Sequence, residues 1–230
     1  MPKTIIITGA NGNLGTATVK KFLEEGYRVV AVDHSGSHLS FAENNSLFEL
    51  INIDLLREND VHNFVQQIIS KHQKIDGLLL LAGGFAMGNI NDVTGDDLKK
   101  MYSLNFETAF FLAKPLFQDM MKNDYGRIIF IGARPALVPE QGKTAIGYAL
   151  SKSLLFRLAE LLNAQAKGKN VVASVVVPST IDTALNRQSM PEADFDIWVK
   201  PEQIAEILEF ICSDKGLPLR ESVYKVYNKA

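Results

Sequence analysis

Six short runs of the chain are apolar at nearly every position, and this limits the fold more than any other feature of the sequence. They are residues 3–8 (KTIIIT), 28–33 (RVVAVD), 47–54 (LFELINID), 77–83 (GLLLLAG), 127–132 (RIIFIG) and 171–178 (VVASVVVP). A strand with one face in water alternates apolar with polar side chains, whereas a run rich in Val, Ile and Leu on both faces needs cover on both. Between the runs lie stretches of helical periodicity at 14–25, 58–71, 96–122, 146–165 and 201–213. Strand and helix in regular alternation require parallel pairing with right-handed crossovers. The expected architecture is therefore α/β, a Rossmann-type doubly wound parallel sheet with helices on both faces. At 230 residues without a repeat, linker or low-complexity tract, a single domain spanning 1–230 suffices. The irregular stretch 179–200 is expected to be a loop that covers substrate.

Composition removes several function classes. A formal net charge of −2 with no basic stripe leaves no electrostatic footprint for nucleic acid or for an acidic membrane surface. The lone Cys212 has no disulfide partner, and the first residues run into a strand without a secretory n-region and h-region, so a cytoplasmic protein is expected. The apolar runs fall far short of the roughly 20 residues that a membrane helix needs.

The first run ends in TGANGNLG and a helix follows at once. Gly9, Gly12 and Gly15 permit a tight turn, close approach of backbone to a pyrophosphate, and close packing of helix on strand. The residues between them, Asn11, Asn13 and Leu14, place backbone N–H groups at the positive end of the helix dipole. Any turn uses glycines; the position between a first strand and a helix is what favours a dinucleotide. Asp33 ends the second run eighteen residues after Gly15, where a carboxylate accepts both ribose hydroxyls and repels a 2′-phosphate. NAD(H) is expected over NADP(H). Asp54, at the end of the third run, is expected near the adenine. His34 and His38 in the next loop lack a third ligand, so no metal site is expected.

Tyr148 and Lys152 are spaced i, i+4 and lie on one helix face. An ammonium near the phenol lowers its pKa and lets it relay a proton. Just upstream, where a hydroxyl would complete such a site, the chain offers Gly132 and Ala133. Arg134 reads as a solvated loop charge.

Together, TGANGNLG, Asp33, Asp54, LAGG at 81–84, Asn105 in SLNFETAFF, the Tyr148/Lys152 pair and VVPSTIDT at 176–183 resemble the short-chain dehydrogenases/reductases over essentially the whole chain. The resemblance implies cofactor contacts from Ala82, Gly83 and Gly84, and from Pro178, Ile181 and Thr183 on the nicotinamide side. It also implies catalysis by Tyr148, Lys152 and Asn105, with Asn105 kinking its helix and orienting a water. A homodimer or homotetramer packed through the helices of Asn105 and Tyr148 is implied as well. Three features depart from the family pattern: the glycine spacing is its less common form, Leu80 and Leu81 replace two asparagines, and the usual serine falls on Ala133. AGGFAMGN at 82–89, Gly132-Ala133, IGYALSK at 146–152 and TALNRQSMPEADF at 183–195 resemble the dihydropteridine reductase branch, which also lacks the serine. That likeness implies a small planar substrate against Phe85, Ala133 and Tyr148, reduced as a quinonoid dihydropterin. A conjugated ring takes hydride without a simple alkoxide, so the serine is dispensable. Two other readings stand beside this one: reduction or oxidation of another small carbonyl or alcohol, and a non-catalytic dinucleotide-binding sensor.

Overall fold

The three isoleucines at the start of the chain show how the sheet is buried. Ile6 faces one core and Ile5 and Ile7 the other, and all three are inaccessible to solvent. This is the two-residue alternation of a strand covered on both sides. In the computed structural model, which describes residues 2–34, 39–220 and 222–229, seven strands form one sheet. They are β1 (Thr4–Thr8), β2 (Arg28–Asp33), β3 (Phe48–Asn52), β4 (Gly77–Leu80), β5 (Tyr125–Ile131), β6 (Asn170–Pro178) and β7 (Val223–Val226). The order is β3-β2-β1-β4-β5-β6-β7 and every pair is parallel. All strands therefore present their carboxyl ends at one edge, and the order reverses between β1 and β4, where ligands of open α/β sheets bind.

The helices are α1 (Asn13–Glu24), α2 (Glu58–His72), α3 (Gly95–Tyr102), α4 (Thr108–Lys122), the one-turn α5 (Pro139–Gly142), α6 (Ile146–Gln165), α7 (Ala184–Ser189) and α8 (Pro201–Cys212). Val19 and Phe22 of α1 and Ile204 and Leu208 of α8 fill the core on the side of Ile5 and Ile7. Phe64 of α2, Leu112 and Leu116 of α4 and Leu155 of α6 fill the side of Ile6. At the opposite edge from the carboxyl ends, the buried Arg127 donates to the carbonyls of Gly126, Asn170 and Leu217 and to Asn170 Oδ1, which ties together β5, β6 and the approach to β7.

The structure departs from the sequence reading in several places. The helix at 96–122 is interrupted by a π turn at Ser103–Glu107 between α3 and α4. The third strand stops at Asn52, so Asp54 lies beyond its end, and the fourth stops at Leu80. The seventh strand escapes sequence detection because it is short, lies at the sheet edge and carries an exposed Lys225 among half-buried residues. Residues 179–200 hold α7 and a 3-10 turn, Phe195–Ile197, rather than an irregular loop. His38 lies outside the described residues; among those described, no three His, Cys, Asp or Glu side chains group as a metal site. Among them, too, no helix is long and apolar enough to cross a membrane.

Gly15 is where α1 meets the end of β1 most closely: a Cβ there would lie 2.0 Å from the Gly9 carbonyl oxygen and 2.7 Å from Ala10 Cα. Gly15→Ala is expected to lower stability by on the order of 1–3 kcal/mol, several degrees in Tm. Gly95, with nothing within 4 Å of an added Cβ, is the control. Thermal unfolding of both variants checks this, and an unchanged Tm for Gly15→Ala would refute the tight contact.

Candidate active site

At the switch point the glycine turn forms a cradle. Gly9 has φ +62°, a left-handed conformation, and a Cβ on it would lie 3.0 Å from the backbone N and Cα of Ala82. Gly12 caps α1 in extended conformation with no side chain over the first turn, so the N–H groups at Asn13 and Leu14 are open to an anion. The turn opens into a cleft of about 540 Å³ lined by Asn11, Gly12, Asn13 and Thr16 on one side and by Asp182, Thr183 and Lys200 on the other. These features fit the pyrophosphate of a dinucleotide.

Asp33, buried at the end of β2, accepts the Asn11 N–H on Oδ2 at 2.9 Å and the His34 N–H and Nδ1 on Oδ1 at 2.8 and 2.7 Å. Burial alone would raise its pKa, but these hydrogen bonds outweigh it and hold the carboxyl below the usual range. A carboxylate thus stands beside the glycine turn, charged at neutral pH. Asp54 is half exposed, accepts from Leu56 N–H and pairs with Arg57 at 3.5 Å. It lines a second cleft, with Ile51, Asn52 and Phe64, beyond β3.

After β4 the chain leaves the ladder, and side chains hold it. Thr8 Oγ1 accepts from Leu81 N–H at 3.0 Å and Ala82 N–H at 3.1 Å. The buried Asn105, in the π turn, accepts from Gly84 N–H and donates to the Gly84 carbonyl, both at 3.0 Å, and donates to Ser151 Oγ at 3.1 Å. The expected irregularity at Asn105 is therefore a π turn, whose amide stitches the loop after β4 to α6. Gly83 leaves room for this: a Cβ there would lie 2.6 Å from Asn105 Oδ1 and 3.3 Å from Lys152 Nζ. Farther along, Gly88 exchanges backbone hydrogen bonds with Thr144 and Ile146, which docks the loop on the start of α6. Phe85, 60% exposed, consequently stands edge-on to Tyr148, with ring centroids 4.9 Å apart.

Lys152 Nζ donates to the Ile131 carbonyl at 2.8 Å, and burial pushes its pKa down to about 8. The phenol of Tyr148 is pushed up to about 12, also by burial. The sequence reading, in which Lys152 depresses Tyr148, is reversed in the structure. The ammonium is directed at a backbone carbonyl and desolvation acts on the phenol unopposed. Ala133 is buried in extended conformation immediately beyond β5 and presents a methyl group. Gly132 before it packs where a Cβ would meet Val175 Cγ1 at 2.7 Å.

Pro178 ends β6, Ile181 bridges to Val199, and Thr183 caps α7 by accepting Asn186 N–H at 3.2 Å. Arg187 of α7 holds Asp182 through Nε at 2.6 Å and a terminal nitrogen at 2.8 Å, and its guanidinium lies 4.6 Å from the Phe195 ring centroid. Thr8, Ser151, Asp182 and Arg187 were not legible as site residues, since each acts through a partner distant in sequence or through a loop fold. Arg134 is corrected: it is half-buried with its guanidinium 4.6 Å from the Tyr227 ring centroid, not a solvated charge.

The geometry agrees with what comparison finds. The chain is 27% identical to a dihydropteridine reductase of Dictyostelium discoideum, over 100% of this chain and 96% of that one. Its fold superposes on 4-hydroxyisoleucine dehydrogenase complexed with NADH at a TM-score of 0.87 and 22% identity, covering 98% of this chain and 97% of that one. It superposes on ElxO with NADP bound at 0.89 and 20% identity, with the same coverage of 98% and 97%. The short chain dehydrogenase family profile matches residues 3–194, and the chain belongs to that family of NAD(P)H-binding oxidoreductases.

Proposed function

We propose that the protein is an NADH-dependent reductase of quinonoid dihydropterin. The observation that carries the reading is the edge-on pairing of Phe85 with Tyr148, together with an alanine, Ala133, that has no hydroxyl to offer at the end of β5. An exposed aromatic ring beside the proton donor suits a flat conjugated substrate, and the likeness to the Dictyostelium enzyme along the whole chain supports it.

The glycine turn and the open end of α1 hold the pyrophosphate, and Asp33 takes the adenosine ribose hydroxyls. Pro178, Ile181 and Thr183 border the nicotinamide side, and residues 179–200 cover the substrate. When bound, the nicotinamide supplies hydride. Tyr148 Oη delivers the accompanying proton to the reduced ring, so that hydride and proton together convert quinonoid dihydropterin to tetrahydropterin. Lys152, one helical turn away, offsets the negative charge left on the phenol. Asn105 keeps the loop carrying Phe85 in register with α6. The same Tyr148 and Lys152 suit a small carbonyl, which is the reading the assay below must exclude.

Asp33→Asn is expected to bring the Kd values for NADH and NADPH together by weakening the first and tightening the second, because a charge facing the 2′-phosphate disappears. Equal affinities in the unmodified protein would remove Asp33 from the ribose site. Tyr148→Phe is expected to cut kcat by about 10²- to 10⁴-fold with NADH binding intact. In the unmodified protein kcat is expected to be level below about pH 8 and to fall above it, as Lys152 loses its proton while Tyr148 keeps its own to about 12. A rate that rises through this range would contradict the assignment.

The substrate test compares freshly generated quinonoid dihydropterin with simple aldehydes and ketones at equal concentration, following NADH oxidation. Rapid pterin reduction is expected, with Ala133→Ser giving little gain on it. Turnover of carbonyls alone would establish the alternative, and none on either substrate despite NADH binding would identify a sensor.

A further inference from the structure

Arg134 directly follows Ala133 at the carboxyl edge of the sheet, and among the described residues its half-buried side chain makes no hydrogen bond or ion pair. Its Nε is buried without a hydrogen-bond partner, and its guanidinium lies 4.6 Å from the Tyr227 ring centroid. A guanidinium brought partly out of water is ordinarily paired, so its idle donors stand out.

The ring beneath it is firmly placed. Tyr227 follows β7, and its carbonyl accepts from Ser179 Oγ at 3.1 Å, while Ser179 N–H donates to the Val226 carbonyl at 2.9 Å. Asn228, next in the chain, donates to the Trp198 carbonyl at 2.9 Å in the segment after α7. Arg134 therefore reaches from the end of β5 across the end of β6 to a platform fixed at the root of the 179–200 segment. Its neighbour on the chain is the residue that lacks the catalytic hydroxyl.

We propose that Arg134 anchors the substrate by donating two parallel N–H bonds to an edge that carries two adjacent acceptors. Quinonoid dihydropterin presents such an edge in its ring carbonyl oxygen and neighbouring imine nitrogen; a carboxylate presents another. The planar fork of a guanidinium matches either, and stacking on Tyr227 fixes its plane in advance. The anchor supplies polar recognition beside Ala133, which cannot. The assignment deepens the dihydropterin reading and rests on it only for the identity of the substrate.

The test measures binding to the NADH-saturated protein by calorimetry with three probes: pterin, benzoate and benzyl alcohol. Arg134→Met is expected to weaken pterin and benzoate by about tenfold or more and to leave benzyl alcohol unchanged, and Arg134→Lys to fall between. The KM for quinonoid dihydropterin should rise by a similar factor with kcat little changed, the pattern of uniform binding lost. NADH affinity should not move. Because the Arg134 side chain makes no hydrogen bond among the described residues, its removal should leave Tm nearly unchanged; Tyr227→Leu, which removes only the platform, gives a second variant with a smaller loss in the same direction. Pterin and benzoate affinities that survive Arg134→Met within twofold, or a failure of both probes to bind the unmodified protein, would overturn the anchor. Loss of probe binding in Arg134→Met from a protein that reduces no dihydropterin would uphold the anchor and refute the dihydropterin reading.

Discussion

β4 ends at Leu80, and from there two buried side chains replace the sheet ladder. The Thr8 hydroxyl takes the N–H groups of Leu81 and Ala82, and the Asn105 amide takes both backbone groups of Gly84. Buried backbone groups without partners cost on the order of 1–3 kcal/mol each, so the course of this loop is closely determined. Much of the site depends on it. Ala82 closes against Gly9 to shape the glycine turn, Gly83 opens toward Lys152 Nζ, and Phe85 is delivered to the ring of Tyr148. The π turn is the local expression of the same constraint, because Asn105 points inward to both the loop and Ser151.

Electrostatics divides the site into two regions. Beside the glycine turn Asp33 is kept ionised by hydrogen bonds that outweigh its burial. Around Tyr148 and Lys152 burial dominates, pushing Lys152 down to about 8 and Tyr148 up to about 12, each toward its neutral form. A phenol that holds its proton suits an acid better than a base, and this direction fits reduction. The lysine, whose ammonium is held by the Ile131 carbonyl, is protonated only while the pH stays below its lowered pKa.

The core strands and the major helices were legible because their signal is local: apolar runs on both faces, and a 3.6-residue period with a glycine turn at the first junction. The Tyr148/Lys152 spacing was legible for the same reason. What escaped has its cause elsewhere in the chain. The seventh strand is only four residues long with an exposed Lys225, and it pairs because β6 offers an edge. Residues 184–189 are too short a run to show a helical period, yet they fold into α7 with the Thr183 cap and the Asp182–Arg187 pair. Arg134 looks solvated until Tyr227, more than ninety positions later, lies against it.

The sequence by itself determined the parallel α/β architecture, the glycine turn between β1 and α1 and the spacing of the Tyr148/Lys152 pair, because each follows from residue types within a few positions of one another. The tertiary structure alone decided where the ammonium of Lys152 is directed, that the phenol of Tyr148 is raised rather than lowered, and which side chains hold the loop after β4. Those outcomes depend on burial and on partners brought together from different strands and helices. Desolvation and hydrogen bonding act over a few ångströms of space, whatever the separation along the chain.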